Sequence, residues 1–326
     1  MVDDQQALKV IEEIIKHHDG GNRYAIGIDV AASIRNWGVS VIRIKKKSCV
    51  PEIVGVFPHS LIRANGEDHR TNFCRPTMLV LKTLLEWIEK EKIEAAIAVD
   101  VPFGWPTEHC EFLNAFSAKA GMRRVDALPS RADFELRLCD QKIKARFIDE
   151  GIKPLSVSAD TLGQAAFKWA QERQALQRLL GCIDVGLPSP RDSKNSVHCF
   201  ETYPAAYIRC CFPNQAGYKS PTKVTTRKEL IAELIKTYRV QTTVQSTAWC
   251  KRACEQSGSP DALDSLICAL CAWDYFQWKS GRKGIVMSTP KEILNRSPNE
   301  NEISRIQSEG WMLFRYEEFG CETTQA

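Results

Sequence analysis

The chain has 326 residues, 44% hydrophobic and 26% charged, with a formal net charge of +4. That balance is ordinary for a soluble globular protein with a sizeable core, and it permits an anionic partner without requiring one. No uncharged apolar stretch reaches the roughly 18 residues of a membrane span, and the acidic Met1-Val2-Asp3-Asp4 start lacks the apolar core of a signal peptide, so no membrane partner and a cytoplasmic setting are expected.

Apolar Leu8, Ile11, Ile14 and Ile15 predict a helix over 5–18, ended by Gly20-Gly21. Residues 1–22 read as a helical extension, and 23–326 as a single domain. Strands are expected at 23–29, 37–44 and 52–57, with links short enough for an antiparallel meander. An amphipathic helix follows at 76–91, with Met78, Leu81, Leu84, Leu85 and Ile88 on one face. The next strand, 94–100, runs into a rigid turn with Pro102, Gly104 and Pro106. Residues 108–182 read as mostly helical, an insertion extending to about 195. A strand at 196–202 carries Glu201, and helices are expected at 226–238 and 260–279. The 13 cysteines are odd in number and scattered, several within predicted helices, so they read as reduced core-filling side chains.

This order predicts an α/β fold with a mixed sheet. Ligands of such sheets collect at the carboxyl ends of parallel strands. Asp29 and Asp100 both close apolar strands, and Asp261 and Asp264 open a very apolar helix. Burying an unpaired carboxylate is costly. Several carboxylates meeting at one sheet edge would repel one another unless a cation joined them. Hard oxygen ligands suit Mg²⁺ or Mn²⁺. Asp29, Asp100, Asp261 and Asp264 are therefore the candidate metal ligands.

The segments Gly27-Ile28-Asp29, Ala98-Val99-Asp100-Val101-Pro102-Phe103-Gly104, Arg131-Ala132-Asp133-Phe134-Glu135-Leu136-Arg137, Phe200-Glu201-Thr202-Tyr203-Pro204 and Asp261-Ala262-Leu263-Asp264-Ser265-Leu266 follow one another in this order, with Glu309-Gly310-Trp311 near the end. In order and kind they resemble the domain of unknown function 429, a family of predicted nucleases with a ribonuclease H-like fold. The resemblance covers roughly residues 23–312. It implies a ribonuclease H-like mixed sheet flanked by helices, with large helical insertions. It also implies a metal-dependent nuclease. The Asp261/Asp264 pair is similar to the arrangement in Holliday-junction resolvases of the same fold.

Phosphodiester hydrolysis needs an activated water and a stabilised leaving oxygen, and two metal ions about 3.5–4 Å apart can supply both. Asp29, Asp100, Asp264 and Glu201 are the expected catalytic carboxylates. Glu201 has a second reading, as the partner of an arginine from the 131–137 segment. Arg131 and Arg137 are either phosphate ligands or members of surface ion pairs such as Asp133/Arg137. Residues 191–228 are rich in bases, among them Lys219, Lys223, Arg227 and Lys228, and are interleaved with Tyr203, Tyr207, Phe212 and Tyr218. Such a surface suits nucleic acid, with Lys219 and Lys223 as substrate ligands. Two alternatives stand beside the nuclease. One is an inactive module of this fold that binds nucleic acid or protein. The other is an ATP-using enzyme of the related actin and sugar-kinase fold, disfavoured because the loop at 30–36 has no glycine to cradle phosphate.

Overall fold

Arg23–Asp29 forms β1, the middle of the sheet, in a computed structural model describing residues 4–30, 37–45, 50–58, 75–115, 130–158, 160–180, 183–185, 197–220, 222–242 and 260–316. The loop at 31–36, the basic residues Lys119, Arg123, Arg124, Arg191 and Lys194, and Cys250 with Cys254 lie outside the described residues.

β1 pairs antiparallel with β2 (Gly38–Ile44), which pairs antiparallel with β3 (Pro51–Pro58). On the other side of β1, β4 (Ala95–Asp100) and β6 (Val197–Glu201) continue the sheet in parallel. The short strands β5 (Ile183–Val185) and β7 (Gln241–Thr242) lie at its ends, giving, among the described residues, seven strands in the order β5-β6-β4-β1-β2-β3-β7. The core order, a three-stranded meander continued by parallel β4 and β6, is the ribonuclease H-like arrangement, an α/β fold with a mixed sheet flanked by helices.

Side chains alternate across a strand, so each strand serves two layers. On one face Tyr24, Ile26 and Ile28 of β1 join Val39 and Val41 of β2 and Ile97 and Val99 of β4. That face packs on Ile11 and Ile14 of α1 (Asp4–Lys16) and on Leu81, Leu84, Leu85 and Ile88 of α2 (Arg75–Lys90). The 3.6-residue spacing of those leucines gives α2 its buried stripe. The other face presents small residues, Ala25 and Gly27 of β1 and Ala96 and Ala98 of β4, toward a helix at Pro260–Lys279. A Cβ on Gly27 would lie 1.9 Å from the Ser265 carbonyl oxygen. Only glycine admits the helix so close.

Among the described residues, the expected insertion holds α3 (Thr107–Ala115), α4 (Arg131–Glu135), α5 (Leu138–Arg146) and α6 (Asp160–Leu180). The segment at 131–137 breaks at Leu136, whose backbone is extended, and Arg137 caps the next helix. The expected Asp133/Arg137 helical pair therefore does not form. Asp133 instead accepts from Ser130 and Gln141. Downstream come α7 (Pro204–Cys211), α8 (Val224–Tyr238), α9 (the Pro260–Lys279 helix), α10 (Pro290–Leu294) and α11 (Glu300–Glu309), with β8 (Val286–Met287) paired to β9 (Arg315–Tyr316). No described helix is long and apolar enough to cross a membrane.

Candidate metal centre

Asp29 has the parity of Ala25 and Gly27, and Asp100 that of Ala96 and Ala98, so both carboxylates face α9 at the carboxyl end of the sheet. They are register partners across the parallel β1/β4 pair. α9 is apolar on nearly every side and buried accordingly. A 2.7 Å hydroxyl contact between Ser40 and Ser265 pins its first turns to β2. Pro260 starts the helix at a position that needs no N–H. Asp264 is thereby carried over the ends of β1 and β4. One carboxylate oxygen each from Asp29, Asp100 and Asp264 lie within 4.8 Å of one another. Asp261, one turn earlier and half-buried, stands outside this triad but adds to its field.

Crowding and burial govern the electrostatics. Burial, with the charges of Asp264 and Asp100, pushes the Asp29 carboxyl well above the usual range. Burial also pushes Asp100 up to about 7; Lys219 opposes the shift, and Asp264, Glu201 and Asp261 reinforce it. Lys219 brings the balancing cation, its Nζ 2.6 Å from Asp264 Oδ2 and 3.9 Å from Asp100 Oδ2. Burial disfavours that charge, yet Asp264, Tyr218, Asp100 and Asp29 outweigh it and hold the ammonium well above its ordinary pKa. The Tyr218 hydroxyl donates to Asp264 Oδ1. Arg227 Nη1 donates to the carbonyls of Tyr218 and Ser220 at 3.1 and 2.8 Å, fixing the loop that delivers both side chains.

The donor set fits a divalent cation. Its atoms are all carboxylate oxygens, the ligands Mg²⁺ and Mn²⁺ favour, and their joint field already draws a side-chain ammonium among them.

Glu201 does not join them. In the β4/β6 register it lies opposite Val99, so it shares the face of Val99, Val197 and Cys199, the reverse of the Asp100 face. Its Oε2 accepts from Phe103 N at 3.0 Å and from Arg137 Nη1 at 2.7 Å, and its Oε1 from Arg137 Nη2 at 2.6 Å. Of its two expected roles Glu201 takes the second, as the buried partner of an arginine, and that arginine is Arg137.

The Arg137 side chain is fully buried, and all five guanidinium N–H groups are used. Nε reaches Asp140 Oδ2 at 3.0 Å; Nη1 reaches Glu201 and the Glu309 carbonyl; Nη2 reaches Asp140 Oδ1 at 3.0 Å and Glu201. No donor remains for a phosphate. Glu309 completes the cluster, accepting from Thr107 N at 3.0 Å and Leu138 N at 2.6 Å at the starts of α3 and α5. The network ties the turn after Asp100 to the insertion helices.

The remaining basic candidates differ. Arg131 is 88% exposed and pairs with Glu135 at 2.8 Å. Lys223 is exposed at the start of α8. Arg227 is buried, holding the Tyr218 loop, so it is no surface cation. Tyr207, Phe212 and Tyr218 are core residues rather than a stacking surface. Sequence reasoning passed over the roles of Tyr218, Asp140 and Glu309 at these clusters. The signal for Glu309 was its place in the Glu309-Gly310-Trp311 segment.

Fold and site together define an α/β protein with a ribonuclease H-like sheet and a buried three-aspartate centre at its carboxyl edge. The chain belongs to the family described as Protein of unknown function (DUF429), whose model matches residues 27–292. It is also similar to the crystal structure of the yeast mitochondrial Holliday junction resolvase Ydc2, at 12% identity and a TM-score of 0.31 over 85% of this chain and 87% of that one. No curated protein sequence matches.

Proposed function

We propose that this protein is a metal-dependent nuclease that hydrolyses nucleic-acid phosphodiester bonds, with Asp29, Asp100 and Asp264 holding Mg²⁺ or Mn²⁺. The observation that carries this reading is the convergence of three carboxylates, none of them free in solvent, on one point at the carboxyl edge of the sheet. A module that only bound nucleic acid would gain nothing from clustered carboxylates beside phosphate.

A divalent ion held there supplies an activated water and stabilises charge on phosphoryl oxygens. The chain's own residues do the rest. β1, β4 and α9 are rigid supports, so the three carboxylates keep their spacing without reorganising. Asp261, in the first turn of α9, stands outside the three converging carboxylates, where the helix dipole itself offsets a carboxylate charge. Lys219, whose amine already lies at the triad, together with exposed Lys223 and Arg131, is assigned to the phosphate backbone of the substrate.

The test offers labelled DNA, RNA and branched DNA to the purified chain with Mn²⁺ and with chelator. Cleavage that needs Mn²⁺ and is lost in Asp29→Asn is expected. Cleavage indifferent to chelator, or a fully active Asp29→Asn of matched folding, would overturn the reading. Binding with Ca²⁺ in place of Mn²⁺ should weaken steeply with salt as phosphate counterions are released.

A further inference from the structure

The three carboxylates of the triad carry a charge that a single divalent ion does not balance. A divalent ion and one ammonium do balance it. Lys219 puts that ammonium in the site, 2.6 Å from Asp264 and 3.9 Å from Asp100. Its placement is built rather than incidental. Arg227, buried beneath the loop, grips the carbonyls on either side of Lys219, and Tyr218 occupies the other oxygen of Asp264. The backbone that carries the lysine is therefore fixed, and only its side chain, 42% exposed, is left to move.

Resting on the nuclease reading above, we propose that Lys219 takes the place of a second metal ion, so that the centre holds one divalent cation per chain. The two-ion arrangement expected from the sequence then gives way to one ion and one lysine. Asp264 is the element they share. With Oδ1 bound by Tyr218 and Oδ2 by Lys219, it has lone pairs but little uncompensated charge left for a second ion. Lys219 Nζ sits where a cation can meet a phosphoryl oxygen of a bound phosphodiester, and its charge is fixed in the site before substrate arrives. It also disfavours entry of a further cation, since like charges a few ångströms apart in a buried site repel strongly.

The test is equilibrium binding of Mn²⁺ to the metal-free full-length chain, followed by calorimetry and by the spin-resonance signal of free Mn²⁺, with no nucleic acid present. One ion per chain is expected. Lys219→Met, which keeps the length of the side chain and removes its charge, should bind its first Mn²⁺ about tenfold more tightly or better, because the competing cation is gone. Lys219→Arg, which keeps a cation there, should stay within about threefold of the natural chain. Two Mn²⁺ ions on the natural chain would overturn the inference and leave the nuclease reading standing. So would an unchanged or weaker affinity in Lys219→Met with a native circular-dichroism spectrum. No Mn²⁺ bound by any of the three proteins would overturn both.

Discussion

Asp29 and Asp100 are register partners on neighbouring parallel strands, both facing the same helix, and both are held above the usual carboxylate range. A sheet does not gain stability by placing like charges side by side at a buried edge. The arrangement costs the metal-free protein stability, and a cation recovers it. That relation makes the centre accessible to stability measurements as well as to activity.

Asp29→Asn should separate these two effects. The amide preserves shape and removes one of the mutually repelling charges, so the metal-free variant should melt at a higher temperature than the natural chain. Mn²⁺ should no longer raise its melting point, and Mn²⁺-dependent cleavage should fall by at least about 100-fold, since a ligand is worth at least as much as the outer-shell partners whose loss costs 10–100-fold. Thermal melts with and without Mn²⁺, beside a cleavage assay, check both arms. A variant that is less stable without metal would show that the repulsion is not there.

The pH dependence follows from the direction of the shifts. A carboxyl with a raised folded-state pKa binds its proton more tightly folded than unfolded. Its stabilising contribution is full below the ordinary 3.8 and is lost as pH rises through the folded value, about 7 for Asp100. The metal-free chain should therefore become more stable between about pH 8 and about pH 6, by about 1.4 kcal/mol from a group with that pKa. Asp100→Asn should flatten the slope. Saturating Mn²⁺ should flatten or reverse it, because protons then compete with the ion. Denaturant melts across that window measure each case.

Arg137 makes a prediction of the opposite kind. Removing it leaves Glu201 and Asp140 buried without their cation, and breaking a buried ion pair in this way costs about 3–5 kcal/mol. Arg137→Ala should show that loss in urea unfolding. Arg137→Lys should recover little, since one ammonium cannot make the five bonds of the guanidinium. The salt dependence of nucleic-acid binding, measured in Arg137→Lys where it folds, should not change. A reduced slope would return Arg137 to the phosphate-binding set.

What was legible in the sequence was what depends on neighbours along the chain. β1 and β4 announce themselves as apolar runs ending in Asp29 and Asp100, and α9 as a long apolar helix behind Pro260. The face that Glu201 would take was also readable, because Val197, Cys199 and Glu201 share one parity, and an acid at the end of that series belongs to the α2 side. Arg137 was legible in part. The 131–137 segment offered an arginine to Glu201, but local spacing gave Asp133 to Arg137, and only the tertiary fold selects it as the partner of Glu201, 64 residues on. Lys219 likewise reads as one of several surface bases; only the tertiary fold brings its amine onto Asp264. The strands β5, β7, β8 and β9 are two or three residues long, too short for alternation to register. α11 did carry a local signal, the Asn299/Glu302 capping box.

Gly27 tests whether the centre depends on the close approach of α9. A Cβ there would meet the Ser265 carbonyl oxygen at 1.9 Å and the Ala269 nitrogen at 2.2 Å, both backbone atoms of a buried helix that no rotamer change can move. Gly27→Ala must therefore displace α9 from β1. The displacement costs at least the roughly 1–3 kcal/mol of ordinary overpacking, and it carries Asp264 away from Asp29 and Asp100. The expected variant melts lower and binds Mn²⁺ more weakly even where its circular-dichroism spectrum remains native. Ala25→Gly, two residues earlier on the same face, removes a methyl and leaves the approach of the helix intact, so it should lose some stability and keep its metal affinity. Equal metal affinity in Gly27→Ala and the natural chain would show that Asp264 reaches the centre without the packing described here.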